Sequence, residues 1–379
     1  MARLGDICEV VSGSTPKTSI EPYWDGDIKW ITPAEIKEDS FYLYDSERHI
    51  TDLAVQKTNL NLLPAGTVIL SSRAPIGKTA IAGTEMYCNQ GFKNLICSDK
   101  IYNEYLYFFL SSKTEYLNSL GRGATFKEIS KSIVEDIEIP LPSMDEQKAL
   151  AEQLKKVTSL IFLRKKQLAK LDELVKARFV EMFGDCDYPY LELMSLITEG
   201  AGLSYGIVQP GDDGTGDMGV LRPVDFIGGK ISTGSIKYID RSIGDGFKKT
   251  ELRGDELLIT VRGSTGITAL TDQRFSRMNV TRGIAVIRYD RNKINPIYLN
   301  AYLNTDESQQ YIQEHTRGAT LQQINLADLK MQRILMPPRE LQEQFSKFAI
   351  QVDKSKAVVQ KALDQLETLK KALMQEYFG

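Results

Sequence analysis

Side chains able to do covalent chemistry are scarce and scattered in this chain of 379 residues. Its two histidines, His49 and His315, argue against a His-based triad or a His-rich metal site. His315 stands just before Arg317 and reads as a solvated loop residue rather than a ligand contact. The four cysteines, Cys8, Cys88, Cys97 and Cys186, form no CxxC pair and follow no secreted framework. Ser72 to Thr79 ends in Gly77-Lys78-Thr79 like a phosphate-binding loop, but Ser72 stands where the first glycine is needed. Gly214 to Gly219 matches GxGxxG, yet it sits in an Asp-rich loop with no strand immediately before it. The carboxylates form no acid and base pair. No enzyme chemistry emerges from the residues.

What the chain does carry is a repeat. An Arg-Gly-Ala-Thr tetrapeptide (Arg122 to Thr125), a Pro-rich knuckle (Pro140, Pro142) and a helix from about Ser143 to Phe183, closed by Gly184, form the first copy. Arg317 to Thr320, Pro337 and Pro338, and a helix from Arg339 to Phe378 before Gly379 form the second. Arg122 maps onto Arg317 and Gly184 onto Gly379, an offset of 195 at both ends, so an insertion near Leu341 must be undone within the helix.

Leu150, Leu154, Val157, Ile161, Leu168, Leu171, Val175 and Met182 follow alternating steps of three and four, with Arg164 and Arg178 at the remaining seam positions. The second copy reads Phe345, Ala349, Val352, Lys356, Val359, Leu363, Leu366, Lys370, Leu373 and Tyr377 in the same register. At 1.5 Å per residue each rod would be roughly 60 Å long. The alternative is two surface helices that each cover their own domain, but two equally long helices in one register, each after a globular segment of similar size, favour pairing with each other. The two are expected to pair as an antiparallel intramolecular coiled coil. The four seam cations either face partner helices or snorkel at a rim.

Each helix follows a globular segment with one order of elements. Strands are expected over Gly26 to Pro33, Gly66 to Ser72 and Phe92 to Cys97, with an Asn103-capped helix to Ser111. In the second segment Asp255 to Val261 and Ile284 to Tyr289 are the matching strands, and Asn295-Pro296 caps the matching helix. Arg262 to Thr268 replaces Arg73 to Thr79, and Asn89 and Asn279 are placed as equivalents. One scaffold with different loops implies two binding sites of one kind for two different targets. The expected architecture is α+β: two mixed α/β globular segments joined by two long paired helices, with an internal pseudo-twofold repeat. The boundaries read 1–142, 143–184, 185–338 and 339–379.

The 42% hydrophobic and 26% charged content is ordinary for a soluble protein, and the chain is long enough for two cores. No signal peptide or membrane-length apolar run is read, and the cysteine usage points to a reducing cytoplasm. A net charge of −3 argues mildly against nucleic acid. Residues 262–293, however, hold seven basic side chains against Asp272 and Asp290, a local basic face.

GRGATFKEI (Gly121 to Ile129), IPLPSMDEQ (Ile139 to Gln147) and LDELVKARFVEMFG (Leu171 to Gly184) make the chain resemble the specificity subunit of type I restriction-modification systems. TRGATLQQI (Thr316 to Ile324) and ILMPPRELQEQ (Ile334 to Gln344) repeat the arrangement, so the resemblance spans nearly the whole chain. It implies a subunit without catalytic residues whose two target recognition domains each read half of a bipartite, asymmetric DNA sequence. The helices would act as a ruler for the spacer and dock two adenine methyltransferase subunits, which motor nuclease subunits join. S-adenosylmethionine, ATP and Mg would belong to those partners, with no cofactor or metal in this chain.

For DNA contact the resemblance nominates polar loop residues at matching places, because Arg pairs bidentately with guanine and Asn or Gln with adenine, while Ser, Thr and Lys more often hold phosphates. These are Ser72, Arg73, Lys78, Asn89, Gln90, Arg122, Thr125 and Lys127 in the first domain. In the second they are Arg262, Ser264, Thr265, Thr268, Arg277, Asn279, Arg282, Arg317, Thr320 and Gln322. The repeated Arg122 and Arg317 are read as phosphate or structural residues rather than base readers. A coiled-coil scaffold that binds proteins and not DNA is the competing reading.

Overall fold

The computed structural model describes all 379 residues except 38–39, 74, 124–126, 185, 212–215 and 320. The chain divides into two compact units, one of residues 1–167 with 359–379 and the other of residues 168–358.

In the first unit, strands β1 (Cys8–Ser12), β2 (Trp24–Ile31), β3 (Tyr42–Leu43), β4 (Arg48–Ile50), β5 (Val68–Leu70), β6 (Thr79–Ala82), β7 (Tyr87–Cys88) and β8 (Lys93–Cys97) form two sheets. One has the order β1-β8-β5-β6-β3 and the other β4-β2-β7, with β7 parallel to β2. Val68, Ile69 and Leu70 are buried on both faces of the central strand, which explains their unbroken apolar run. Helix α1 (Asn103–Ser112) covers this sheet with Tyr105, Leu106, Phe108, Phe109 and Leu110 buried.

The second unit repeats the plan. Strands β9 (Ser204–Tyr205), β10 (Met218–Leu221), β11 (Lys237–Ile239), β12 (Leu257–Thr260), β13 (Thr268–Leu270), β14 (Asn279–Val280) and β15 (Ile284–Ile287) give sheets β9-β15-β12-β13 and β11-β10-β14. Again the short third strand, β14, runs parallel to its neighbour. The first unit differs by its extra edge strand β3.

How each domain holds its long helix is repeated in three bonds, two through a buried glutamine and one through a tyrosine hydroxyl. Helix α2 (Met144–Phe183) begins after Ser143, whose hydroxyl and amide share Glu146 as a capping box. One turn in, the buried Gln147 donates to Lys100 O (3.1 Å) and Pro142 O (3.0 Å) and accepts from Tyr102 N (2.8 Å). In the second unit, which holds helix α3 (Pro296–Leu303) and the start of α4 (Arg339–Phe378), Gln342 donates to Pro337 O (2.9 Å) and accepts from Asn295 N (3.0 Å). Tyr105 OH donates to Pro140 O and Tyr298 OH to Leu335 O, at 2.9 and 2.8 Å. Gln147 to Gln342, Pro142 to Pro337 and Pro140 to Leu335 each keep the offset of 195. The expected insertion near Leu341 is therefore absent: the repeated Glu-Gln after Gln342 had imitated one.

Asn103 is likewise a correction. It is the first helical residue, and Tyr102 is the cap, its amide taken by Gln147. Asn295 does cap α3, accepting from Ile297 N and Tyr298 N.

The two long helices pair antiparallel within each unit. In the first, the start of α2 lies with the end of α4, joined by Lys165 and Glu367 (3.2 Å), and Phe378 packs on Tyr105 and Phe109. In the second, the end of α2 lies with the start of α4, joined by Lys356 and Asp172, and Phe183 packs on Tyr298 and Phe345. Phe378, 2% exposed, takes the last seam position that the period had given to Tyr377, which is 40% exposed. The other seam cations snorkel: Arg164 reaches Gln167, Arg178 reaches Glu181, and Lys370 is half-buried.

Candidate nucleic-acid interface

In the first unit the chain leaves β5 through a turn that Ser71 closes. Its hydroxyl donates to Pro75 O (2.6 Å) and accepts from Lys78 N (2.9 Å), while its carbonyl accepts from Gly77 N (3.0 Å). Thr260 makes the same three bonds after β12, to Ser264 O (2.5 Å), Ile267 N (2.9 Å) and Gly266 N (2.8 Å). Gly77 and Gly266 both need positive φ, +95° and +88°. This superposes Arg73 on Arg262, both half-exposed.

Beside that turn lies a hairpin. Arg122 and Glu128 exchange both backbone bonds at 3.0 Å, as Arg317 pairs with Gln323 in the second unit. Arg73 bridges to Glu128 and Arg262 to Gln323. Ile129 N donates to Ser72 O, and Ile324 N to Val261 O, so the hairpin is laid along the turn in both units. On the other side, Ser72 N donates to Gly91 O and Val261 N to Gly283 O. Each unit thus brings a loop arginine, a hairpin arginine and the residue before a glycine to one sheet edge. Gln90 takes that last place in the first unit and Arg282 in the second, both exposed.

These bonds also fix equivalences that letter matching missed. Trp30 pairs with Tyr87 as Val220 pairs with Asn279, and Asn89 N donates to Ile31 O as Thr281 N donates to Leu221 O. Asn89 is thus equivalent to Thr281, two residues beyond Asn279. Asn279 is buried and fully engaged: its carbonyl oxygen accepts from Thr250 Oγ1 (2.8 Å) and Val280 N (2.9 Å), and its amide donates to Phe247 O (3.2 Å).

Several other nominated residues are inside the fold. Ser72 is fully buried. Thr268 donates to Asn300 (2.8 Å) and accepts from Asn304 (2.6 Å), and Thr265 bonds Thr316 (3.1 Å). Ser72, Thr265, Thr268 and Asn279 therefore hold the scaffold and are withdrawn from the surface. Lys78 reaches Pro33 O at 3.1 Å and braces the same edge. Asn89 is half-buried, its carbonyl oxygen accepting from Gly91 N (2.8 Å). Lys127, Ser264 and Gln322 are exposed beside the arginines, whereas Arg277, in a left-handed conformation (φ +66°), precedes β14, at the other end of that strand from Arg282. Thr125 and Thr320 lie outside the described residues.

Three of the seven cations in the basic run of residues 262–293 are paired with carboxylates, and a fourth is held by a backbone carbonyl. Arg274 grips Asp272 through both carboxylate oxygens, holding that carboxyl below its usual range. Arg288 donates to Lys249 O and Glu251 O beside the buried Glu256, Arg291 faces Asp255, and Lys293 reaches Ser195 O. Only the guanidinium groups of Arg262, Arg277 and Arg282 in this run have no such partner among the described residues. Asp272 and Asp290 counted only two of the acids; Asp255 and Glu256 come from just upstream in sequence.

The two units share a further turn. Thr32 N donates to Glu35 Oε1 and Arg222 N to Asp225 Oδ2, both at 2.7 Å, with Pro33 and Pro223 as the next residues. A Pro followed two residues later by an acid was its visible sign. His315 stacks on Tyr311 at 4.0 Å, a structural role. Among the described residues no cluster of His, Cys, Asp or Glu could hold a metal ion, and no helix is long and apolar enough to cross a membrane.

The family model described as "Type I restriction modification DNA specificity domain" matches residues 1–173 and 217–368. The MjaIX type I restriction enzyme specificity subunit of Methanocaldococcus jannaschii is 31% identical over 368 residues, covering 90% of this chain and 84% of that one. Among solved structures, the S subunit of a type I system from M. genitalium aligns over 100% of this chain and 95% of its own, with TM-score 0.57 and 15% identity. A chain from a structure addressing assembly and conformational transition of the type I R-M system aligns over 100% and 96%, with TM-score 0.58 and 18% identity. Those two likenesses show the shared fold.

Proposed function

The chain belongs to the type I restriction-modification DNA specificity family, and on that premise we propose that each unit reads one half of a bipartite, asymmetric duplex site. It is the DNA sequence-specificity subunit of such a system. The observation that carries the two-half-site reading is the edge built twice from the same backbone bonds, with arginines at the same places and different side chains between them. Repeated arginines suit phosphates, which are the same everywhere, and the differing side chains suit bases, which are not.

The partners follow from the same premise. Exposed Leu160, Leu163, Leu174 and Val180 on α2, and Val358 and Leu369 on α4, support docking of methyltransferase subunits along the paired helices. Adenine methylation, ATP-driven cleavage and their S-adenosylmethionine, ATP and Mg are assigned to those partners and to motor nuclease subunits. Recognition is the part this chain supplies, in a cytoplasmic complex.

The helices are assigned the spacer. Adding one heptad to each long helix keeps the seam in register and lengthens the pair by about 10 Å, roughly three base pairs. Selection of bound duplexes from a random library, with the cognate methyltransferase present, should give two short unlike motifs at one separation, and that separation should grow in the lengthened variant. An unchanged spacer sinks the ruler. Binding that fades with salt while enriching no sequence would favour the protein scaffold instead.

A further inference from the structure

The repeated edge contains its own control for what reads the base. Arg73 and Arg262, and Arg122 and Arg317, are the same residue at the same place in both units, so they cannot make two half-sites differ. Discrimination has to come from exposed places that are equivalent in backbone and different in side chain. Three pairs meet that condition beside the arginines: Pro75 with Ser264, where the proline has no side-chain hydrogen-bonding group to give a base, Lys127 with Gln322, and Gln90 with Arg282. Lysine is a point charge that holds phosphate, whereas glutamine and arginine each present two groups in one plane, matched to adenine and to guanine.

Gln90 and Arg282 are also held as a reading residue needs. In the first unit Asn89 N is bonded to Ile31 O (3.0 Å) and Gly91 O to Ser72 N (2.7 Å), fixing the backbone on both sides. In the second, Thr281 N is bonded to Leu221 O (2.9 Å) and Gly283 O to Val261 N (2.8 Å). The glycine that follows sits close under a proline in both units: a Cβ on Gly91 would meet Asn89 Oδ1 at 3.0 Å and Pro33 Cγ at 3.1 Å, a tight fit, and one on Gly283 would lie 2.7 Å from Pro223 Cγ, which leaves no room for it. The site is therefore rigid in backbone and open at one side chain.

Local support differs as the two side chains demand. Thr15 donates its hydroxyl to Gln90 Oε1, which orients the amide and leaves that oxygen a second lone pair and the NH2 for a base. Ser14 N donates to Cys88 O as Ile207 N donates to Val280 O, so Val208 stands where Thr15 does. It offers nothing to a guanidinium, which needs no help to be planar.

Resting on the DNA-reading function above, we propose that Gln90 and Arg282 are equivalent specificity-determining residues, Gln90 reading an adenine in one half-site and Arg282 a guanine in the other. Gln90 Oε1 would accept from adenine N6 and its NH2 would donate to N7, while Arg282 would donate to guanine O6 and N7.

The test is duplex selection with the full chain and its cognate methyltransferase, comparing unaltered protein with Gln90→Arg and Arg282→Gln. Gln90→Arg should move one base pair of one half-site from A·T to G·C, by about 5- to 150-fold in relative affinity, and leave the other half-site alone. Arg282→Gln should make the reverse change in the other half-site, so either variant decides should one fail to fold. Thr15→Val should blunt only the Gln90 base pair. If the unaltered chain enriches two motifs and both swaps leave them unchanged, or weaken all sequences equally, the assignment is overturned while the DNA-reading function stands. If the unaltered chain enriches none, both fall.

Discussion

Gln147 in the first unit and Gln342 in the second fasten a long helix to its domain through two matching buried amide contacts, whereas Gln90 and Arg282 share a backbone and present different groups. The joint is a place where each lost bond leaves a buried polar group unpaired. The edge is exposed, and a change there costs the fold little. The repeated part of the molecule is thus the part that must hold shape, and the exposed turn is free to take a different side chain in each unit. That contrast is what a two-target reader needs.

The comparison breaks most visibly at the aromatic ends of the helices. Phe183 lies against Phe179, Tyr298 and Phe345, with ring centroids 4.9 to 5.9 Å away, and Phe378 against Tyr105 and Phe109 at 5.3 and 5.7 Å. Each truncation to alanine should cost about 3–5 kcal/mol, Phe378→Ala at the lower end because the helix stops there. Both tryptophans, Trp24 and Trp30, are in the first unit. Tryptophan fluorescence in urea should therefore shift more for Phe378→Ala, and far-UV circular dichroism more for Phe183→Ala. Equal shifts by both probes would show that the units unfold as one.

The joints come next. Gln147→Ala strips partners from Tyr102 N, Lys100 O and Pro142 O, and Gln342→Ala from Asn295 N and Pro337 O. A cost of roughly 2–4 kcal/mol is expected for the first and somewhat less for the second. Thermal melts of the two variants check the order; a harmless Gln147→Ala would show that the buried amide does not hold the helix to its domain.

The long helices, their seam and the strands within Gly26 to Pro33, Gly66 to Ser72, Phe92 to Cys97, Asp255 to Val261 and Ile284 to Tyr289 were legible because period and apolar runs are local properties of a sequence, whereas the order of strands in the sheets is not. Phe378 was displaced by one place because the seam ends by packing on Tyr105 and Phe109, which no heptad count contains. The edge was legible only in part. Arg73 and Arg262 stand at one distance from a matching Gly, but Asn89 and Asn279 share a letter and not a place, since strand register decides equivalence. Burial of Ser72, Thr265, Thr268 and Asn279 was invisible for a related reason: a small polar residue in a turn or a short strand packs into the frame as readily as it faces a contact surface, and only its tertiary neighbours decide which. The basic run was misread because the counter-charges Asp255 and Glu256 lay outside the window counted.

That neutralisation separates arginines by what they still have to give. Arg73→Ala and Arg262→Ala should each weaken duplex binding for all sequences alike and lower the slope of log affinity against log salt by about one. Arg274→Ala should leave the slope unchanged, because its charge is already spent on Asp272 at 2.7 Å. Titrations of a fixed duplex at several salt concentrations separate the three. An effect of Arg274→Ala as large as that of Arg262→Ala would mean the whole run faces DNA.

The smallest effect concerns one seam position where the two helices disagree. Val175 in α2 corresponds to Lys370 in α4 at the offset of 195. Burial, and then the nearby Lys165, push the Lys370 ammonium below its ordinary range, against a smaller opposing pull from Glu367. A lysine with a lowered folded value holds its proton less tightly in the native state than in the unfolded one. Well below the folded value both states are charged and the penalty is complete; as pH rises from there toward the unfolded value, the native state deprotonates first and stability climbs. Lys370→Val should therefore stabilise the first unit by about 1 kcal/mol near neutral pH, and the gain over the unaltered chain should shrink on the alkaline side. Urea midpoints at pH 7 and across the alkaline range, read as the difference between the two proteins, cancel the other titrating groups. A gain that stays constant with pH would mean that Lys370 already reaches water, and that the seam tolerates a cation there at no cost.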